Sequence, residues 1–249
     1  MKKILLSLYI LSFTLLSNAQ GFKNIIKNVG KNDTSGTVTK IFEKHSSVSG
    51  LSNGEIINGL REALTIGTQN AAGKLSMMDG FFKDAALKIL MPVEAKKVEK
   101  TLRDVGMGKQ VDNAILAMNR AAEDAAKSAS PIFLNAIKAM RLNDGLSILK
   151  GGEFAATNFL KDKTMAALTE AFKPVIEASL QKVNATKYWN TVFSTYNKFS
   201  NDKVNPDLLE YVTAKALSGL FYGIGQEEQK IRKDPMARTT DLLKKVFAK

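Results

Sequence analysis

The sequence predicts an all-α protein, a bundle of about eight to ten helices joined by short connections. Three observations predict it. From Ser52 onward, apolar residues recur at three- and four-residue spacing, the period of one helix face. No run alternates apolar and polar residues over strand length, and no hairpin signal separates two such runs. Of the five prolines, Pro92, Pro131, Pro206 and Pro235 stand where a helix would begin, and only Pro174 falls inside a pattern. Proline is tolerated in a first turn because its missing N–H has no intrahelical acceptor there. Hydrophobic residues make up 45% of the chain, enough for a packed core rather than disorder.

The chain opens on Met1-Lys2-Lys3, an apolar run over residues 4–16, and Ser17-Asn18-Ala19. A basic start, a short apolar stretch and a small-residue cleavage site read as a signal peptide ending at residue 19, so export is expected. The apolar run is too short to span a bilayer comfortably, and no later segment is long and apolar enough to be a transmembrane helix. There is no cysteine, which excludes a lipoprotein signal, disulfides and thiol chemistry. Residues 20–51 are weakly patterned. Phe22, Ile25, Ile26 and Val29, with Lys23 and Lys27 opposite, form a short amphipathic stretch. It fits a membrane surface or, more in keeping with its length, a mobile terminus. Residues 45–50 have linker composition.

The helical domain is expected over residues 52–249. Ser52 and Glu55 have capping-box spacing, and a helix should run from there to about residue 75. Residues 77–91 are less regular, with a turn at Asp79-Gly80 and anchors at Phe81 and Phe82. Pro92 opens a helix carrying Val93, Val98 and Leu102, stopped by Gly106. A long helix follows over 109–129, on Val111, Ile115, Met118, Ala122, Ala125 and Ala129. Pro131 restarts one carrying Phe133, Ile137 and Met140. Asn143 is expected to cap a short helix ending at Lys150-Gly151-Gly152. Residues 153–172 form the next helix, with Ala156, Leu160, Thr164, Ala167 and Ala171 on one face. Pro174 should kink or break it. Residues 185–199 are aromatic, with Tyr188, Trp189, Phe193, Tyr196 and Phe199. They fit an ordinary core or the lining of an apolar ligand pocket.

The helix that organises the rest is expected to start at Asn205 as N-cap and Pro206 as first residue, and to reach about Arg232. Leu209, Val212, Ala216, Leu220 and Gly223 form its stripe. Leu208, Leu217, Phe221, Tyr222 and Ile224 widen it until the middle is apolar nearly all round, which predicts burial on most sides. Asp234 should cap a second helix opened by Pro235 and carrying Leu242, Leu243, Val246 and Phe247.

One turn beyond the stripe lies Glu227. If buried, that carboxylate needs a cation or donors, and the candidates Lys230, Arg232, Lys233 and Arg238 follow at once. Folding the last helix back would bring Arg232 or Arg238 near Glu227 and Glu228. Glu227, Glu228, Arg232, Asp234 and Arg238 are therefore a candidate polar site at a helix corner. Asn119, Arg120 and Glu123, at the edge of another apolar stripe, are a second candidate set. Each reads either as a ligand-binding group or as a network that fixes helices, and structural networks perturb charges as readily as active sites do. Lys150-Gly151-Gly152 ahead of a helix can offer N–H groups to a phosphate or carboxylate, although a helix end and a turn explain it as well.

No catalytic set stands out. His45 is the only histidine and lies in the linker composition, so no metal site built on histidine and cysteine is expected. A carboxylate-only cation site stays open, but no EF-hand loop is present. Consecutive carboxylates such as Glu227-Glu228 point about 100° apart on a helix and are no ready acid–base pair. No cofactor fingerprint appears. The net charge is +12, so expected partners are a lipid, an anionic envelope surface or another envelope protein, or the lysines simply solvate helix faces. Nucleic acid is not expected of an exported chain. Three function classes follow: a binder of an apolar or amphiphilic ligand, a structural or interaction module, and a carboxylate-based enzyme.

Several strings occur together: Ala117-Met118-Asn119-Arg120-Ala121-Ala122-Glu123, Ile148-Leu149-Lys150-Gly151-Gly152, Ala155-Ala156-Thr157, Gly219-Leu220-Phe221-Tyr222, and the tail from Arg232-Lys233-Asp234-Pro235-Met236 to Leu243. With them, the chain from about Leu51 to its end resembles a family of exported Gram-negative bacterial proteins known only as a domain of unknown function. The resemblance implies a helical protein of the periplasm, or a secreted one, and brings no activity.

Overall fold

The computed structural model of the chain describes residues 50–182, 184–186, 189, 190, 193, 197, 198 and 207–248. The signal peptide, the amphipathic stretch at Phe22, His45, Asn205, Pro206 and the side chains of Tyr188, Val192, Tyr196 and Phe199 lie outside the described residues. The chain divides into two units, Met1–Ser47 and Val48–Lys249, and every described helix belongs to the second.

The fold is all-α: 79% helical, with no strand among the described residues. The helices are α1 (Asn53–Ser76), α2 (Lys96–Asp104), α3 (Gly108–Ala126), α4 (Ala129–Lys138), α5 (Leu142–Lys150), α6 (Ala155–Lys182), α7 (Leu208–Lys233) and the six-residue α8 (Asp241–Val246). Seven are thus substantial, slightly fewer than the eight to ten expected. Short 3₁₀ turns at Val93–Ala95 and Pro235–Ala237 precede α2 and α8.

α1 starts where the capping box places it. The Ser52 hydroxyl accepts from the Glu55 N–H, and the Glu55 carboxylate accepts from the Ser52 N–H at 2.8 Å. α2 forms as expected and ends before Gly106, whose φ of +83° suits glycine. It buries none of its residues, however, and Val93 ahead of it is largely exposed. Its apolar positions reach only the edge of the core.

Several helix starts differ from expectation, each for a local reason. α5 is capped at Arg141, whose N–H donates to Asp144 at 2.8 Å, so Asn143 lies in the first turn. α7 starts at Leu208 with Asp207 as N-cap, its carboxylate accepting from the Glu210 N–H at 2.9 Å. Asp234-Pro235 opens only the 3₁₀ turn, with Asp234 accepting from Met236 N–H. α8 begins six residues later, capped by the Thr240 hydroxyl.

α6 does not break at Pro174; it runs unbroken from Ala155 to Lys182. Its buried residues are Ala156, Leu160, Thr164, Leu168, Phe172, Ile176 and Leu180, with Thr157 beside the first. A strict four-residue step advances about 40° each time, so the buried line winds round the helix. α6 accordingly packs in turn on α5, α7, α3 and α4. Pro174 and Glu170 both face solvent, where water can serve the freed carbonyl. The later half of the expected stripe is corrected: Leu168 and Phe172 are buried, while Ala167 is exposed.

α7 is the central helix. It packs on α1, α3 and α6 and buries Val212, Ala216, Leu217, Leu220, Phe221 and Ile224. Tyr222 is the exception in its apolar middle, 48% exposed. Phe221 meets Phe133 of α4 edge to face at 6.0 Å. Gly219 admits the ring of Phe81, and a Cβ there would lie 2.5 Å from it. Trp189 and Phe193 are buried with ring centroids 4.4 Å apart, and Trp189 stacks on Tyr211 of α7 at 6.2 Å.

Candidate functional site

The residues singled out in the sequence fall into three separate networks, and each holds the fold. The first joins the C-terminal half of α7 to the start of α6. Glu228 accepts from the Ala156 N–H at 3.0 Å, the Thr157 N–H at 2.8 Å and the Thr157 hydroxyl at 2.7 Å. Free N–H groups at a helix start favour an anion. Lys150-Gly151-Gly152 is a helix end and a turn, and the N–H groups that follow it are taken by one of the chain's own carboxylates. Arg232, one turn on, donates to Glu228 at 2.9 Å and to the carbonyl of Ile148 at 2.8 Å, closing the end of α5. A buried pair of this kind is worth keeping only when its other donors and acceptors are served, as they are here.

Glu227 faces a different way. It accepts from Lys230 at 2.6 Å, Lys74 at 2.9 Å and Asn70 at 3.3 Å, tying α7 to α1. Burial pushes its carboxyl up. The bonds from Lys230, Lys74 and Asn70 outweigh that and hold it below the usual carboxylate range. The Lys74 ammonium is raised in turn, chiefly by Glu227.

Arg238 does not reach either glutamate. It donates to the carbonyls of Ile231 at 3.0 Å and Arg232 at 2.9 Å, capping the last turn of α7. Asp234 is exposed and serves the 3₁₀ turn. The expected corner is thus three local devices rather than one site.

The second candidate set anchors the irregular connection over residues 77–92. Non-helical backbone beside a core must find partners, and α3 supplies them. Glu123 accepts from the N–H groups of Phe81 and Phe82, both at 3.1 Å. Asn119, fully buried, accepts from Ile89 N–H and donates to Ile89 C=O, both at 2.8 Å. Arg120 bridges Glu123 at 2.6 Å and Asp79 at 2.7 Å. Bonds from Lys83 and then Arg120 hold the Asp79 carboxyl below its ordinary value. Asp79 carries a φ of +69°, the left-handed turn that starts the connection. Among the described residues, no three carboxylate or histidine side chains converge on a common point.

Space for a ligand lies elsewhere. Beside Glu228 and Arg232 there is a cavity of about 30 Å³ lined by Leu64, Thr68, Ile148 and Ile224, room for one water. An open groove of about 630 Å³ runs instead along the seam of α6 and α7. Met165, Ala214, Leu217 and Phe221 supply its apolar surface. Lys161, Thr169, Lys173, Glu210, Ser218 and Tyr222 form its polar edge, with Thr213 beneath. Its size falls in the range of small-molecule sites. Lys161 and Lys173 have no ion-pair partner among the described residues. The Thr213 hydroxyl is buried without a hydrogen-bond partner. Of the two readings of the aromatic segment, core or pocket lining, Trp189 and Phe193 are core, and neither lines the groove.

Residues 50–248 match the family described as Protein of unknown function (DUF4197). The chain belongs to that family. The match covers every described helix, including all three networks and the groove. No curated protein matches the chain, and no solved structure does. Membership carries no activity with it, so any reading of what this DUF4197 domain does must come from its own geometry.

Proposed function

We propose that the domain is a binding module for an apolar or amphiphilic ligand of the cell envelope, held in the α6–α7 groove of an exported protein. The observation that carries this reading is the groove itself. It offers about 630 Å³ of open space with an apolar floor and a polar edge, while the buried carboxylates are each committed to partners within the chain. Such a saturated polar set orients helices. An open apolar trough edged by lysines suits a hydrocarbon chain lying along the seam with a polar end exposed.

No helix among the described residues is long and apolar enough to cross a membrane. The test uses N-phenyl-1-naphthylamine, an uncharged fluorophore that brightens in apolar sites. The wild-type protein should enhance it saturably. Ala214→Trp and Ser218→Phe, both at exposed positions in the groove, should abolish the enhancement without lowering Tm. Equal enhancement by the blocked variants, or none by the wild type, rejects the reading.

A further inference from the structure

Resting on the groove reading, we infer that the ligand is a single-chain amphiphile with a carboxylate head, and that the head sits at the Thr213–Lys173 end of the groove. The first observation is Thr213. Helical threonines normally return their hydroxyl proton to the carbonyl one turn back. Thr68 does so to Leu64 at 2.8 Å, Thr164 to Leu160 at 2.6 Å, and Thr169 to Met165 at 2.9 Å. Thr213 does not: it is only 3% exposed, it is among the residues that line the groove, and its buried hydroxyl has no hydrogen-bond partner among the described residues. A buried hydroxyl left so costs stability unless something else accepts its proton.

The second observation is charge and register. Glu228 meets Ala156 and Thr157 at the start of α6, and further along, residues 161–173 of α6 line the groove with residues 210–222 of α7, so the two helices run antiparallel. Continued along the seam, that register sets Thr213 within a turn of Thr169 and Lys173, and Tyr222 beside Lys161. The ammonium of Lys173 has no ion-pair partner among the described residues, whereas Glu210, at the same end, is already engaged in an interaction of its own.

The third observation is the donor count. One ammonium and one hydroxyl can serve the two oxygens of a carboxylate. A phosphate would need more donors, and the backbone N–H groups in mid-helix are spent within the helix. From Lys173 to Lys161 the groove extends about 18 Å along α6, past Met165, Leu217 and Phe221. One extended acyl chain fits this length, and the single trough gives a second chain no place.

The experiment is displacement of N-phenyl-1-naphthylamine by hexadecanoic acid, hexadecanol and hexadecyl phosphate. With wild-type protein, the acid should displace the probe about tenfold more tightly than the alcohol. Thr213→Val and Lys173→Met should each bring that ratio toward one while the alcohol's own affinity holds. Lys161→Met should leave the ratio intact. Equal affinity for acid and alcohol, a tighter phosphate, or loss of the ratio in Lys161→Met alone overturns the head assignment while the groove reading stands. Failure of all three to displace a probe that binds overturns both.

Discussion

Glu227 and Glu228 are adjacent in sequence and opposite in consequence. The partners of Glu227 are lysines whose side chains are 64% and 51% exposed, so removing the carboxylate returns them to water. The partners of Glu228 are the N–H groups that open α6 and an Arg232 side chain only 16% exposed. Glu228→Leu should therefore cost about 3–5 kcal/mol, and Glu227→Leu within about 1 kcal/mol, by urea unfolding. Equal costs would mean that the α6 start is held by something else. The sequence pointed to Glu227 because it continues the apolar stripe. A rotation of about 100° per residue decides which carboxylate faces which neighbour. That neighbour lies 71 residues away for Glu228, beyond any local signal.

At the scale of elements, the helices were legible where local chemistry alone decides them. The capping box at Ser52 and the glycine stop at Gly106 lie where the pattern placed them. Starts that depended on choosing among nearby candidates moved: Asp207 caps α7, Arg141 precedes α5, and Thr240 caps α8. In each case several residues could serve, and packing chose. Pro174 is the clearest difference. Proline in a helix interior normally costs about 3 kcal/mol, yet α6 continues through it, because the position faces solvent and residues on both sides are held by the core. Pro174→Ala restores a hydrogen bond to Glu170 but frees the unfolded chain. The net should be a gain of about 1 kcal/mol, seen as a higher Tm. A lower Tm would show that the proline's restriction of the unfolded chain outweighs the restored hydrogen bond.

At the scale of the molecule, the all-α class followed from periodicity, and the central place of α7 followed from its apolar middle. The groove did not. Its lining comes from two helices that are distant in the chain: Leu217 and Phe221 read as core, and its charged and hydroxyl residues read alone as solvent face. Thr169, Lys173 and Ser218 have no signal until the antiparallel seam sets them together. The polar residues that did stand out did so because they are buried, and burial here serves the fold. We therefore propose the α6–α7 groove, rather than the conspicuous charges, as the place of function. Native mass spectrometry of protein purified without detergent from the cells that make it tests this most directly. A ligand-holding groove predicts an added mass of a single-chain amphiphile on the wild type, absent from Ala214→Trp. A bare protein mass for the wild type, or the same adduct on both proteins, would contradict it.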